Sequence, residues 1–362
     1  EEQADALVLF GITGDLAEKK LIPALYELTS EGRLNMPVVG TARSQWTDER
    51  LVDHVREVLQ GRDDAIVDRL CSHLSYVEGD YQNPAVYDLI SEKLGDARLP
   101  VFFMAIPPSL FDDVATGLAG VGFATNGRLV VEKPFGRDLA SAIELNEILH
   151  RHFHEDQIFR IDHFLGKEPV QNLLVFRFAN VLLEPIWNRH HVASVMVTMS
   201  EAFGIEGRGR FYDSVGAIRD VIQNHLLQIV GLLAMEPPVS SEPDALRDEI
   251  VKVMSAIPAL TPDNVVRGRY DGYLDERDVS PTSDTETFAA VRLEIDNWRW
   301  AGVPFFIRAG KGMDKTVTEA VIELRQTPQD LFAPEGKPPA NVIRFRMKPD
   351  DVISMSMQAK VP

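Results

Sequence analysis

The chain has 362 residues, of which 37 are basic and 55 acidic, so its formal net charge is −18. This length favours two domains, and a composition that is 45% hydrophobic and 25% charged is typical of a globular chain and excludes disorder as its main state. Because a net-acidic chain binds nucleic acid and anionic membranes poorly, we expect neither a nucleic-acid nor a membrane partner.

Apolar runs and cysteine content indicate the cellular compartment. Runs such as Ala6–Ile12 are shorter than the roughly 18 residues that a membrane-spanning helix needs. The single cysteine, Cys71, cannot form an internal disulfide, and the first residues lack the pattern of a signal peptide. We therefore expect a cytoplasmic protein.

Residues 1–165 alternate between short apolar runs and helical patterns. Strands are predicted at Ala6–Phe10, Pro37–Thr41, Leu74–Val77, Val101–Ile106, Arg128–Val131 and Ile158–Ile161. Helices are predicted through Leu16 to Leu28, over Asp48–Leu59, from Pro84, after a cap at Ser109, and over Leu139–Leu149. This alternation predicts a Rossmann-type α/β domain, in which helices cover both faces of a parallel sheet.

Residues 166–362 have a different pattern. Period-two alternation predicts strands at Val192–Glu201 and Phe288–Ile295, with further candidates at Val303–Arg308, Val342–Met347 and Val352–Met357. One long apolar helix is predicted over Asp213–Met235, and a shorter helix ends near Ile257. These elements predict a larger α+β domain, an antiparallel sheet with helices.

A glycine turn follows the first strand directly, as the segment Gly11-Ile-Thr-Gly-Asp-Leu-Ala17. A dinucleotide pyrophosphate binds at such a turn, because backbone N–H groups and the helix dipole point to it. Gly11 permits the tight turn, Gly14 the close backbone approach, and Ala17 the packing of helix on strand. The spacing is not G-x-G-x-x-G, and an ordinary strand-to-helix turn is the alternative.

A basic residue, Arg43, follows the second strand, where a binder of NAD is expected to carry Asp or Glu. Lys19 and Lys20 lie on the first helix. A guanidinium suits a 2′-phosphate, which predicts NADP as the cofactor, and the alternative is an ordinary surface arginine.

Ionisable residues follow the fifth and sixth strands. Lys133, in the segment Glu132-Lys-Pro-Phe135, is predicted to lie at the carboxyl edge of the sheet. The peptide bond between Lys133 and Pro134 is either cis or, as is more common, trans. In Arg160-Ile-Asp-His-Phe-Leu-Gly-Lys-Glu168, His163 and Lys167 suit a phosphate dianion, and Asp162 suits the orientation of a histidine base. A polar strand end in water is the alternative.

The predicted long helix carries one histidine, His225, on its apolar face. Such a histidine is more often a core residue than a base. Its polar neighbours Asp220, Gln223 and Asn224 favour the base, because a buried histidine bonded to a carboxylate keeps one nitrogen that accepts a proton near neutral pH.

Eight segments, taken together, resemble the glucose-6-phosphate dehydrogenase family over essentially the whole chain. They are Gly11–Ala17, Glu132–Gly136, Arg160–Glu168, Ser200–Gly204, Glu206–Gly209, Arg219–His225, Asp296–Pro304 and Ala309–Lys311. The resemblance implies oxidation of glucose 6-phosphate to 6-phosphoglucono-δ-lactone with reduction of NADP, the first step of the pentose phosphate pathway.

The resemblance also implies residue roles. His225 removes the C1 hydroxyl proton, Asp162 orients the imidazole, and His163 and Lys167 hold the phosphate. Sugar contacts are implied for Lys133, Glu201, Asp220, Lys311 and Lys315. Cofactor contacts are implied for Gly11, Thr13, Gly14, Asp15, Leu16, Lys20, Arg43, Pro107 and Lys133. No metal is implied, and the expected assembly is a homodimer or homotetramer.

The chain departs from the family pattern at three places. Phe164 stands where the family commonly has Tyr, so one phosphate hydrogen bond is missing. A basic residue of the family falls on Thr316, and Lys315 is the candidate substitute. Family chains also continue past the last predicted strand, so we expect the C-terminal end of the second domain to be lacking.

Two other functions stay open at this stage. One is a Rossmann-type oxidoreductase with a Glu-Lys-Pro motif that acts on an unphosphorylated sugar. The other is a non-catalytic NADP-binding regulator, although the presence of both His225 and Asp162 argues against lost chemistry.

Overall fold

The computed structural model describes residues 3–329 and 338–359 of the chain. The backbone forms two compact units, Glu1–Ile161 and Asp162–Pro362. Within the described residues, we find no helix with the length and apolar character that crossing a membrane requires.

The first unit is a six-stranded parallel sheet in the order β3-β2-β1-β4-β5-β6. The strands are β1 Ala6–Phe10, β2 Val38–Ala42, β3 Leu74–Glu78, β4 Pro100–Met104, β5 Arg128–Val131 and β6 Ile158–Arg160. The helices are α1 Ile22–Ser30, α2 Asp48–Val58, α3 Asp64–Cys71, α4 Ala85–Leu94, α5 Phe111–Gly120 and α6 Leu139–His150, with a π-helical turn at Ala17–Leu21 and 3-10 turns at Pro108–Leu110 and Glu155–Gln157. This strand order is that of the Rossmann fold, so the predicted class of this half is confirmed.

Two local predictions for the first unit were wrong or incomplete. Helix α3 was not predicted, although Asp63 caps it by accepting from the N–H groups of Ala65 and Ile66. Ser109 does not cap α5, because it lies inside the 3-10 turn and Leu110 occupies the cap position without a side-chain bond. The two prolines 107 and 108 favour that tight turn over a capped helix start.

The second unit contains a seven-stranded sheet in the order β13-β12-β11-β7-β10-β9-β8. The strands are β7 Val192–Ser200, β8 Val265–Gly268, β9 Phe288–Leu293, β10 Phe305–Gly310, β11 Val317–Leu324, β12 Val342–Lys348 and β13 Val352–Met355. The helical segments are α7 Glu168–Phe178, α8 Gly209–Ala217, a π-helical segment Ile218–Leu226, α9 Leu227–Ala234 and α10 Pro243–Ser255, with 3-10 turns at Glu184–Ile186, Pro262–Asn264 and Tyr273–Asp275. A sheet with helices in this half confirms the predicted α+β class.

The sheet of the second unit is mixed. β7 and β10 run parallel, while the other neighbouring strands are antiparallel. The prediction had no parallel pair, and it missed β8, α7 and the central strand β11. Period-two alternation does not reveal β11, because seven of its eight positions, Val317 to Ala320 among them, are buried or half-buried on both faces.

The predicted continuous helix Asp213–Met235 is interrupted at Gly216, which is a correction. Gly216 has a φ of 68°, which breaks the helical backbone just before the last residue of α8, and the chain continues from Ile218 as the π-helical segment and then α9. A Cβ at Gly216 would lie 2.5 Å from Oε1 of Glu286, so both the dihedral and the contact require glycine. Periodicity alone cannot detect this break, because the apolar face continues across it.

The C-terminal end of α9 is closed by side chains from elsewhere in the second unit. Arg177 donates to the carbonyls of Leu232 (2.6 Å) and Met235 (2.8 Å). The indole N–H groups of Trp187 and Trp300 donate to the carbonyls at 233 and 234, each at 2.7 Å. Carbonyls at a helix end have no partner within the helix, so these four bonds satisfy groups that burial would otherwise penalise.

Replacing Arg177 tests this arrangement. Arg177→Met should lower the free energy of unfolding by about 2–6 kcal/mol, because two buried carbonyls lose their donor at roughly 1–3 kcal/mol each. Urea denaturation followed by tryptophan fluorescence measures the loss, since Trp187 and Trp300 lie beside the site. The surface variant Arg247→Met is the matched control, and an equally small change in both variants would contradict the expectation.

Candidate active site

A buried histidine and a carboxylate form the centre of the second unit's polar site. Nδ1 of His225 lies 2.6 Å from Oδ1 of Asp162, and the two side chains are 6% and 13% exposed. His225 is on the π-helical segment, and Asp162 comes two residues after β6 in the chain. The backbone N–H of Phe164 also donates to Oδ1 of Asp162, at 2.9 Å, which orients the carboxylate.

The protonation of Asp162 follows from these contacts. Burial raises the pKa of the Asp162 carboxyl, but the hydrogen bonds from His225 and from the N–H of Phe164 outweigh it, so the pKa lies below the ordinary value of 3.8. Asp162 is therefore ionised at neutral pH and accepts from Nδ1 of His225. This arrangement keeps Nε2 as the nitrogen with a lone pair.

Aromatic contacts surround the imidazole. The ring of His163 meets that of His225 edge-on, with centroids 5.0 Å apart, and the ring of Phe164 lies 5.2 Å away at 30°. Nζ of Lys167 lies 4.3 Å from the centroid of Phe164. Phe164, which lacks the usual hydroxyl, thus offers its π face to the ammonium.

Lys167 is also the N-cap residue of α7, which begins at Glu168 with Pro169 in its first turn. A helix N-terminus carries a partial positive charge and unpaired N–H groups. His163 and Lys167 are exposed beside this terminus. The three features together make a place where an anion is stabilised.

Glu201 and Lys311 meet because their strands are parallel. Ser200 on β7 is paired with Gly310 on β10, so the next residue of each strand emerges at the same edge. Nζ of Lys311, itself 5% exposed, forms an ion pair with Oε2 of Glu201, which is half-buried. The ammonium also lies 5.5 Å from the ring centroid of Tyr212.

Asp220 lies on the same segment as His225. In a π-helix the hydrogen bonds link residues five apart, so Asp220 and His225 are stacked one turn above the other. Burial, followed by the charges of Asp220 and other carboxylates that include Glu201, raises the pKa of Tyr212. Tyr212, whose ring lies beside the ammonium of Lys311, is a residue that sequence reasoning did not identify.

Two further predicted contacts, Lys315 and Lys133, belong to different units. Lys315 is exposed, and its carbonyl accepts from Oγ of Ser200 at 2.7 Å. Lys133 belongs to the first unit, where it is half-buried in the loop after β5, and its bond to Pro134 is cis.

The glycine turn of the first unit fits a bound pyrophosphate. Gly11 has a φ of 82°, and a Cβ there would lie 2.4 Å from the carbonyl oxygen of Ala105, so this turn requires glycine. Gly14, Asp15 and Leu16 are exposed just before the buried Ala17. The hydroxyl of Tyr81, which sequence reasoning missed, donates to the carbonyl of Thr41 at 2.8 Å below the turn.

The other predicted cofactor residues surround this turn. The hydroxyl of Ser44, next to Arg43, donates to that of Thr13 at 3.1 Å. Arg43 directly follows β2, and one of its guanidinium nitrogens pairs with Oδ1 of Asp80 at 2.9 Å. Lys20 and Pro107 are exposed. The pair with Asp80 uses only part of the five-donor guanidinium of Arg43.

The donor atoms of Asp162, His163 and His225 lie within 4.8 Å of one another, which raises the question of a metal. Ligands of a tetrahedral zinc ion, each about 2.1 Å from it, are about 3.4 Å apart. The 2.6 Å between Nδ1 of His225 and Oδ1 of Asp162 is instead a hydrogen-bond distance. This spacing favours an acid–base pair.

Comparison with protein families decides the identity. Residues 8–172 match the family model "Glucose-6-phosphate dehydrogenase, NAD binding domain", and residues 174–362 match "Glucose-6-phosphate dehydrogenase, C-terminal domain". The chain belongs to the glucose-6-phosphate dehydrogenase family. The resemblance of the eight segments is thereby confirmed.

Individual members of the glucose-6-phosphate dehydrogenase family agree. Glucose-6-phosphate 1-dehydrogenase 1 of Mycobacterium tuberculosis is 47% identical over 361 residues, which cover 98% of this chain and 77% of that protein. The crystal structure of the Mycobacterium avium enzyme superposes with a TM-score of 0.95 at 46% identity, covering 100% of this chain and 81% of the other. The structure of a glucose-6-phosphate dehydrogenase in complex with its substrate glucose-6-phosphate superposes with a TM-score of 0.93 at 41% identity. The match covers 100% of this chain and 80% of the other.

Proposed function

We propose that the protein oxidises D-glucose 6-phosphate to 6-phospho-D-glucono-1,5-lactone with NADP, the first step of the pentose phosphate pathway. Membership of the glucose-6-phosphate dehydrogenase family supports this activity. The observation that carries the mechanism is the buried pair of His225 and Asp162, 2.6 Å apart.

His225 is the general base of the proposed reaction. With Nδ1 bonded to Asp162, Nε2 accepts the proton of the C1 hydroxyl as C1 is oxidised. The imidazolium that results is stabilised by the ionised carboxylate beside it. The carboxylate also holds the ring in one orientation, so that no alignment is needed at the moment of proton transfer.

His163 and Lys167 bind the phosphate of the substrate. Both are exposed beside the first turn of α7, whose N-terminus favours an anion. The ring of Phe164 holds the ammonium of Lys167 by a cation–π contact. This contact takes the place of a hydroxyl at residue 164 in ordering the phosphate site.

Carboxylates and lysines bind the sugar hydroxyls. Glu201 and Asp220 accept hydrogen bonds from hydroxyl groups, and the ion pair with Lys311 holds Glu201 in place. Lys133 and Lys315 complete the set of sugar contacts.

The glycine turn holds the cofactor. Gly11, Thr13, Gly14, Asp15 and Leu16 bind the pyrophosphate region of NADP, and Lys20, Arg43, Pro107 and Lys133 contribute the remaining contacts. NADP, when bound, supplies the hydride acceptor of the reaction. The exposure of Gly14 just before the buried Ala17 supports this assignment, because a glycine at the start of a helix lets a phosphate approach the backbone N–H groups.

A spectrophotometric assay tests the function. The purified protein should reduce NADP with glucose 6-phosphate much faster than with unphosphorylated glucose, and Lys167→Ala should raise the Michaelis constant for glucose 6-phosphate about 10-fold or more, the value of one charge-assisted hydrogen bond. An unchanged constant would favour the oxidoreductase of unphosphorylated sugars, and no reduction at all would favour the non-catalytic regulator.

Arg43 is assigned to the 2′-phosphate of NADP. Arg43→Ala should weaken NADP binding about 10-fold or more and leave NAD binding within about 2-fold, because only NADP carries the group that the guanidinium pairs with. Titrations of both cofactors by fluorescence measure the two constants. Arg33→Ala, which removes a surface arginine paired with Glu31, is the matched control. Equal weakening of both cofactors would refute the assignment.

We also infer a cytoplasmic homodimer or homotetramer. Two exposed apolar side chains, Phe306 on β10 and Val266 on β8, support an interface on the sheet of the second unit. They are 40% and 64% exposed and lie on one face of the sheet, because they pair with Arg292 and Ala290 of β9, which are two positions apart. Light scattering on the purified protein measures the assembly, and a monomer at micromolar concentration would contradict it.

A further inference from the structure

The helical segment that carries Asp220 and His225 begins against a side chain distant in sequence. Glu286, just before β9, accepts twice at this start: its carbonyl oxygen bonds to the N–H of Ala217 at 3.1 Å, and its Oε1 bonds to the N–H of Ile218 at 3.0 Å. N–H groups at a helix start have no partner within the helix. A carboxylate there is also stabilised by the helix dipole.

The carboxylate of Glu286 is enclosed by its surroundings. The residue is only 7% exposed. A Cβ at Gly216 would lie only 2.5 Å from its Oε1, so the glycine that breaks α8 also makes room for this side chain. Its Oε2 has a looser contact, 3.7 Å from the half-exposed Arg267.

Thr285 and Thr287, the two residues next to Glu286, also bond to parts of the active-site framework. Oγ1 of Thr285 donates to the carbonyl of Asp213 at 2.7 Å, in α8. The carbonyl of Thr287 accepts from the N–H of Lys311 at 2.9 Å. Residues 285–287 therefore contact α8, the start of the segment with His225, and the backbone of Lys311.

We propose that Glu286 is a positioning residue for the reaction, which sets the place of His225 by fixing the first turn of its helical segment. The inference rests on the proposed function. At the other end, Arg177, Trp187 and Trp300 hold the last carbonyls of α9. A helical segment held at both ends cannot slide or rotate. The position of His225 is therefore fixed together with the segment.

We expect Glu286 to affect kcat, the turnover number of the reaction. Proton transfer depends on the distance between Nε2 and the C1 hydroxyl, and a displacement of about 1 Å can cost up to about 100-fold in rate. The bonds of Glu286 described above are to the start of the segment with His225, and the cofactor turn belongs to the first unit. We therefore expect kcat to change while the Michaelis constant for NADP does not.

Two substitutions separate reach from charge. Glu286→Gln keeps the length and the acceptor oxygen but loses the charge, and its kcat should stay within about 3-fold of the unmodified protein. Glu286→Asp keeps the charge but is one methylene too short to reach the N–H of Ile218, and its kcat should fall about 10-fold or more. Arg267→Ala, which removes the partner of Oε2 only, is the control and should keep kcat within about 2-fold.

The proposal is tested by which of the two variants, Glu286→Gln or Glu286→Asp, has the lower kcat. Steady-state kinetics with glucose 6-phosphate and NADP are measured well below the unfolding temperature, with circular dichroism to establish that each variant is folded. A folded Glu286→Asp with full kcat, or a Glu286→Gln that is the slower of the two, would overturn the positioning role. If Glu286→Asp does not fold, a folded Glu286→Gln with kcat lowered 10-fold or more still overturns it. Reduction of NADP by the unmodified protein tests the proposed function separately.

Discussion

His225→Ala should lower kcat by about 10²–10⁴-fold, the usual contribution of a general base. The imidazole is the group whose Nε2 accepts the C1 proton, and alanine leaves no acceptor in its place. NADP binding should survive, because the cofactor residues belong to the first unit. Stopped-flow or steady-state absorbance of the reduced cofactor measures kcat, and fluorescence titration measures cofactor binding.

The control for this prediction is His190→Ala. His190 is exposed in the second unit, and its backbone N–H donates to Oδ1 of Asn188 at 2.9 Å. This variant should keep the full kcat. If His225→Ala loses less than about 10-fold in kcat, His225 is not the general base.

Asp162→Asn should also lower kcat, by about 10²-fold or more, although the side chain keeps its size. The amide carries no charge to stabilise the imidazolium, and its NH2 group can donate to Nδ1 of His225, which leaves the proton on Nε2 and removes the base. Asp244→Asn, on the surface beside Arg247, is the matched control. A folded Asp162→Asn with kcat within about 3-fold would show that the carboxylate does not orient the base.

The lowered pKa of Asp162 gives this pair a distinct pH dependence. Its folded-state pKa lies below the ordinary 3.8, so its contribution to stability is fully present above that value and is lost as the pH falls through the folded-state pKa. The unmodified protein should therefore be more stable than Asp162→Asn at pH 6, and the difference should shrink as the pH falls below about 4. Thermal unfolding at several pH values measures it, and a constant difference would contradict the cause assigned to the pKa.

Strand–helix alternation predicted most of the first unit. Β-strands such as Ala6–Phe10 and Arg128–Val131 are identical in prediction and structure, because a parallel strand buried on both faces is a short continuous apolar run. Helix α3 was missed although it has apolar residues at Ile66, Val67 and Leu70, because it is only eight residues long and follows a polar loop. Its cap, Asp63, was the available signal.

The second unit was harder to predict. Glu201 and Lys311 were expected to bind substrate, but nothing in their spacing shows that they form an ion pair with each other. That pair depends on the parallel register of β7 and β10, which places Ser200 opposite Gly310. From the sequence, Phe164 is notable only because it lacks the hydroxyl of the Tyr that the family commonly has at this position. The structure shows that its ring contacts both Lys167 and His225.

The amino-acid sequence by itself determined the class of both halves, the glycine turn and the residue types of the catalytic pair, since these depend on local patterns and short motifs. The tertiary structure decided which polar groups meet. Contacts such as that between Glu286 and the N–H of Ile218 join residues 68 positions apart. Their geometry depends on strand register and on a break at one glycine, and neither leaves a periodic trace in the chain.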